Sequence, residues 1–132
     1  MITQMGKEIT PIVNDPITER IIASCFEVHT SLGPGFPERI YHNALKISFD
    51  KRKLKYESEK EFDVYFDEKK IGTFRCDFFV KDKVIVEIKS VTGYIPVLFR
   101  NQVISYLKAS GIKTGLLVNF GNKSCEVKRV FY

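Results

Sequence analysis

The chain has no tryptophan, two methionines, two histidines and three cysteines in 132 residues, and these shortages exclude several kinds of protein. Cys25, Cys76 and Cys125 are odd in number and far apart, so they frame neither a disulfide scaffold nor a Cys-x-x-Cys metal knuckle. His29 and His42 do not complete a zinc set with them. Each cysteine has apolar neighbours and is expected to be buried, reduced and structural. No apolar run approaches the roughly 18 residues of a membrane span, and the N-terminus carries no signal-peptide core. A cytoplasmic protein without a membrane partner is therefore expected.

What remains is an ordinary soluble balance, 44% hydrophobic and 28% charged, which argues against disorder. Eleven Phe and six Tyr supply a bulky aromatic core. The length suits one domain, taken here as residues 15–132 behind a flexible arm at 1–14, where no periodicity is visible. The net charge of +5 favours an anionic partner, nucleic acid being the commonest, although a merely basic surface would read the same way.

Asp15-Pro16 is a helix-start pair. Ile21, Ile22, Cys25, Val28 and Leu32 then recur at helical spacing until Gly33-Pro34. Pro37 opens a second helix through Ile40, Tyr41, Ala44, Leu45 and Ser48, ending near residues 51–53. Strands are expected at about 55–66, 71–80 and 84–89, with a polar turn at Asp67-Glu68-Lys69-Lys70. A third helix spans about 97–110 and closes at Gly111. Leu116-Leu117-Val118 reads as a central strand covered on both faces, and Ser124 to Phe131 as the last. The expected fold is α/β, a mixed sheet flanked by helices in the order α-α-β-β-β-α-β-β.

The chemistry concentrates in one hairpin. Phe74, Cys76, Phe78 and Val80 alternate in the strand sense and are expected to share a face, as are Val84, Val86 and Ile88. With the turn centred on Asp82, Phe78 lies opposite Val86 and Asp77 opposite Glu87, and Lys89 shares the face of Glu87. Two carboxylates about 5 Å apart across a ladder repel, by roughly 3 kcal/mol at an effective dielectric near 20. A divalent cation would reverse that sign. Asp77, Glu87 and Lys89 are the residue types that metal-assisted phosphodiester cleavage needs: hard oxygens for Mg²⁺ or Mn²⁺ and an ammonium for developing charge. A solvated hairpin with alternating charges is the plainer alternative. Against it, Phe79 and Ile85 are expected on the same face, so that face is partly apolar.

Gln102 and Tyr106, four apart, share a face of the third helix, which can fold back over the strand ends and bring them to phosphate or metal-bound water. An ordinary amphipathic helix would also account for them. Glu38 is the first acid of the second helix, where it complements the helix dipole without any further role.

Gly35-Phe36-Pro37-Glu38-Arg39-Ile40-Tyr41 resembles the Gly-x-x-Glu-x-x-Tyr signature of the small GxxExxY protein family, and Glu27-Val28-His29 and Leu32-Gly33-Pro34-Gly35 are similar to its lead-in. Asp77, Glu87-x-Lys89 and Gln102-x-x-x-Tyr106 follow in the order of the PD-(D/E)xK nuclease superfamily, to which that family is assigned. The resemblance spans roughly residues 17–130. It implies a restriction-endonuclease-like core, with Asp77 and Glu87 as metal ligands, Glu38 as the helix acid completing the site, and Lys89 as catalytic lysine. Gln102 and Tyr106 would be the helical pair of the helicase-associated nuclease branch. Leu98-Phe99-Arg100-Asn101 departs from the His-Glu-Ala-like stretch expected before Gln102, and no acid stands among Gly72-Thr73-Phe74-Arg75-Cys76. The expected function is a metal-dependent nuclease on DNA or RNA, alone, as a homodimer or in a larger nucleic-acid-processing complex. The alternative is a non-catalytic nucleic-acid- or partner-binding module that keeps the fold.

Overall fold

A computed structural model describes residues 15–132; the arm expected at 1–14 lies outside them. Helix α1 spans Pro16–Leu32. The Asp15 carboxylate accepts from Ile17 N–H and from the Thr18 hydroxyl, both at 2.9 Å, satisfying donors that a helix start leaves open. Gly33 ends the helix at φ 70°. Helix α2, Glu38–Lys51, is joined to α1 through Glu27, which accepts from Ser48, Lys51 and Arg52 at 2.5–2.7 Å. Hydrogen bonds from these three, Lys51 foremost, hold the Glu27 carboxyl down at about 2.

Between α1 and α2 the chain turns a corner that Tyr41 ties from inside. Its hydroxyl donates to Gly33 O at 2.5 Å and accepts from Phe36 N–H at 3.2 Å. Its ring stacks on Phe120, 4.6 Å between centroids. Ser90 adds a bond to Phe36 O at 2.7 Å, so the start of α2 is fixed to the chain just after the central strands. Tyr41→Phe keeps the ring but orphans two backbone groups. It should cost about 1–3 kcal/mol in urea unfolding, whereas a loss near zero would mean that water replaces the hydroxyl.

The strands are β1 (Tyr56–Phe66), β2 (Lys69–Val80), β3 (Val84–Lys89), β4 (Thr114–Asn119) and β5 (Glu126–Phe131), with helix α3 (Val97–Ser110) between β3 and β4. They form one sheet in the order β1-β2-β3-β4-β5. All neighbours are antiparallel except β3 and β4, which run parallel because α3 carries the chain back. The element order agrees with the sequence reading. The first hairpin turn is tighter than expected: Phe66 pairs with Lys69, and Asp67 and Glu68 alone make the turn at φ 50° and 63°, the conformation of a two-residue hairpin loop.

Apolar side chains fill both sides of the sheet. One core joins Ile21, Cys25, Leu45 and Phe49 of α1 and α2 to Phe78, Val80, Val84, Val86 and Ile88. The other joins Val103 and Leu107 of α3 to Cys76, Phe79, Ile85 and Leu117. Phe74 stacks on Tyr106 of α3 at 4.2 Å. The expectation that Phe74, Cys76, Phe78 and Val80 share a face is therefore corrected. Phe78 and Val80 face α1 and α2, whereas Phe74 and Cys76 face α3, so β2 turns over at Asp77. Opposite, β1 does the same: Ser58 bonds His42 of α2 at 2.9 Å, while Phe62 packs in the α3 core. Glu59, between them, has φ 56°. Cys25 and Cys76 are buried as expected, but Cys125 is half-buried; all three are free thiols. Among the described residues no helix is long and apolar enough to cross a membrane.

Candidate active site

The place where β2 turns over is where it leaves β3. Val80–Val84, Phe79–Ile85 and Phe78–Val86 pair as the turn position predicts, and the ladder goes no further. The next pair, expected as Asp77 directly across from Glu87, is replaced by side chains. Asp77 N–H donates to Glu87 Oε1 and Ile88 N–H donates to Asp77 Oδ2, each at 2.8 Å. β3 continues alongside β4 to the pair Lys89–Asn119. The sheet thus splits on one side of β3. The two carboxylates bridge the split, each holding a backbone N–H with one oxygen and keeping its second oxygen.

Glu87 is 5% exposed. Burial and then the charge of Asp77 push its carboxyl up to about 8, against the pull of the Asp77 N–H and of Lys89. Burial likewise raises Asp77, with Glu38 and Glu59 adding to it and the Ile88 N–H and Lys89 opposing. One of the pair therefore holds a proton near neutrality unless a cation offsets the repulsion.

Lys89 is half-buried at the end of β3, with Nζ 4.5 Å from the centre of the Phe99 ring. Phe99, Gln102 and Tyr106 fall at i, i+3 and i+7, one stripe of α3. Phe99 meets Lys89, and Tyr106 lies close enough to Glu87 and Asp77 for their charges, after burial, to raise its phenol. Gln102 lies between, its Oε1 buried and without a partner among the described residues. Glu38 is exposed in the first turn of α2; its charge reaches both central carboxyls. Among the described residues no three His, Cys, Asp or Glu side chains gather into one metal cage, so Glu38 is not drawn together with Asp77 and Glu87.

Two neighbours, His42 and Phe99, escaped the sequence reading, and a third, Cys76, was expected only as a buried structural thiol. His42 stacks on Phe78 at 4.3 Å, and its Nδ1 is 3.9 Å from Asp77 Oδ1. Burial foremost, then Arg39 and Lys46, lowers its pKa, so it meets Asp77 as a neutral ring. Its position four residues after Glu38, on the same helical face, was the available signal. Phe99 stands one turn before Gln102, inside the stretch that departs from the expected pattern. Cys76 has its thiol pushed up to about 12 by burial and then by Glu87 and Asp77, which makes it an inert packing group.

The family model of the PD-(D/E)XK nuclease superfamily matches residues 15–130. The chain belongs to this superfamily. No curated protein matches it significantly. Among solved structures, the crystal structure of SSO0001 is similar, with a TM-score of 0.57 and 20% identity over 70% of this chain. The chain spans about half of that protein, 49% of its length. At that identity the likeness concerns the fold: a restriction-endonuclease-like α/β arrangement, a five-stranded mixed sheet flanked by helices. Members of the superfamily are usually nucleases and generally use divalent metal ions. The donor set here suits such an ion: two hard carboxylates with repulsion to relieve, in place of a closed protein cage.

Proposed function

We propose that the protein is a metal-dependent nuclease that hydrolyses phosphodiester bonds of DNA or RNA, with Asp77 and Glu87 holding Mg²⁺ or Mn²⁺ and Lys89 as the catalytic lysine. The observation that carries the reading is the carboxylate pair across the sheet split, Glu87 buried and Asp77 half-buried, with an ammonium two residues along the strand from Glu87. Two like charges held this way are costly in a structural hairpin, and carboxyls so perturbed cluster where a cation or a proton is exchanged. When bound, a divalent ion supplies a Lewis acid and a water of lowered pKa. The chain's own groups do the rest. Asp77 and Glu87 are already oriented by backbone N–H donors, so little reorganisation is needed. Lys89 presents its charge to the phosphate oxygens, and Gln102 and Tyr106 contact the nucleic acid or its waters. Glu38 would add a third negative charge facing the ion, in keeping with its effect on both central carboxyls.

We also read the chain as belonging to the GxxExxY branch, on Gly35, Glu38 and Tyr41, and as a single domain over residues 15–132. A reducing, cytoplasmic setting suits its three free thiols, and a homodimer or a larger nucleic-acid-processing complex is the expected assembly. The test is a panel of single- and double-stranded DNA and RNA with Mg²⁺, Mn²⁺ or EDTA. Cleavage with either metal and none in EDTA is expected. Binding without cleavage under every condition would favour the non-catalytic module instead.

A further inference from the structure

From Ile88 to Cys125 the sequence contains no Asp or Glu, while Lys89, Arg100, Lys108, Lys113 and Lys123 fall within it. These five cations equal the net charge of the whole chain; outside the stretch, sixteen Lys and Arg face sixteen Asp and Glu. The electrostatic bias of the molecule is thus carried by the segment that leaves the site at Lys89 and includes α3 and β4.

The first part of that segment, residues 90–96, begins and ends at Lys89: it leaves β3 there and delivers α3, whose Phe99 lies against the Lys89 ammonium. Two asparagines clamp it. Asn119 accepts from Val91 N–H and donates to Val91 O, both at 2.9 Å. Asn122 does the same with Gly93, both at 2.8 Å. Between them, a Cβ on Gly121 would meet Val91 O at 2.2 Å and Val91 N at 2.3 Å, so only glycine allows this approach. On this fixed backbone Tyr94 is 99% exposed, followed by Val97 at 73% and Leu98 at 71%. A cleft beside it is lined by Ile95, Pro96 and Val97 and by Arg100, Lys128 and Arg129, with no acid.

We propose that Tyr94 is a stacking platform for an unpaired nucleobase, and that the nucleic acid crossing the site is single-stranded there. The inference rests on the nuclease reading and narrows its substrate class. An aromatic face with flanking cations is the pairing that tracks single strands: the ring takes any base and the cations take the phosphates. In a duplex each base face is already covered by its neighbours, and the ring would meet only backbone. Because the loop is clamped beforehand, stacking is not offset by the cost of ordering it. The cleft beside the loop is lined by three cations and no acid, while the one carboxylate at the clamp, Glu126, is engaged by both Asn119 and Asn122 at 3.0 and 2.8 Å. That balance favours a polyanion over a protein as occupant of Tyr94, Val97 and Leu98.

The experiment measures binding of short fluorescent oligonucleotides, single-stranded and duplex, to wild type, Tyr94→Phe and Tyr94→Ala, with Ca²⁺ and with EDTA. 2-Aminopurine placed along the strand reports stacking. Tyr94→Ala is expected to weaken single-strand binding by about 10-fold to 100-fold, to leave duplex binding within about 2-fold, and to abolish quenching of 2-aminopurine. Tyr94→Phe should behave as wild type, since the ring and not the hydroxyl stacks. The side chain is wholly exposed, so the variants should melt with wild type. Wild-type binding and cleavage with an unaltered Tyr94→Ala would overturn this inference alone and leave the face to a protein partner. A wild type that neither binds nor cleaves any nucleic acid would overturn the nuclease reading with it.

Discussion

Lys89→Ala is expected to lower kcat by about 10²–10³-fold, the usual effect of removing one donor from a charge-stabilising site. Affinity for metal and nucleic acid should barely change. The main chain at this position is secured by the parallel pairing of β3 with β4, so the truncation does not move Glu87, two residues earlier. The ammonium is half-buried and held against the Phe99 ring, which fixes it in place before substrate arrives. A group that meets charge only as it develops contributes in the transition state, and its loss appears in kcat. Lys89 also lowers the pKa of Asp77 and of Glu87. Any residual activity of Lys89→Ala should therefore have its acidic limb moved to higher pH. Lys89→Arg should rescue poorly, because a planar guanidinium does not reproduce a compact ammonium over an aromatic ring. A simple phosphate anchor predicts a different pattern: weaker binding, a salt dependence shallower by about one phosphate, and partial rescue by Arg. Single-turnover rates beside binding isotherms at two salt concentrations separate the two, and full activity of Lys89→Ala would exclude both.

Local signals in the sequence carried most of the fold. Asp15-Pro16 and Gly33 mark the ends of α1 because cap chemistry depends only on neighbours in the chain. The pairing of β2 with β3 followed from one turn position, since register is set by the turn. The failures come where a strand does not stay flat. Alternation put Cys76 and Phe78 on one face, and the structure puts them in opposite cores, because β1 and β2 turn over together at Glu59 and Asp77. Glu59 has a left-handed backbone at a residue that carries no glycine or asparagine signal. That turnover also frees the Asp77 N–H and the Ile88 N–H from the ladder, so the carboxylates became their partners. The acid pair was legible as a like-charge clash, but the bonds that orient it were not. His42 and Phe99 were missed for a related reason: each looks like an ordinary amphipathic-helix residue until the fold sets it against Asp77 or Lys89. The clamps by Asn119 and Asn122 join residues 28 and 29 positions apart, beyond any local pattern.

Glu87→Gln is expected to stabilise the metal-free protein at pH 7–8 by about 2–4 kcal/mol, an order of magnitude set by the rise of its carboxyl from 4.5 to about 8. The folded state raises this pKa, so between pH 4.5 and 8 it holds more protons than the unfolded chain. Stability of the wild type is then fully present below pH 4.5, falls as pH rises through that window, and levels off above about 8. Glutamine cannot ionise, yet its carbonyl can still accept from Asp77 N–H as Oε1 does at 2.8 Å, so the variant keeps the bridge and loses the cost. The two proteins should therefore converge near pH 4.5 and separate toward pH 8. Divalent metal should act on the other protein. For the wild type, binding adds RT ln(1 + [L]/Kd), about 2.7 kcal/mol at one hundred times Kd, and offsets the repulsion at its source. Glu87→Gln, with one anionic ligand removed, should gain much less, so that Mg²⁺ narrows or reverses the order of stability seen in EDTA. Asp77→Asn should follow the same pattern with a smaller effect, since Asp77 is more exposed than Glu87 and is less penalised for its charge. Urea unfolding at pH 4.5, 6 and 8, in EDTA and in Mg²⁺, checks both parts. A stability difference that does not change with pH would remove the buried charge as its cause. Equal metal shifts in the wild type and in Glu87→Gln would place the ion elsewhere on the protein.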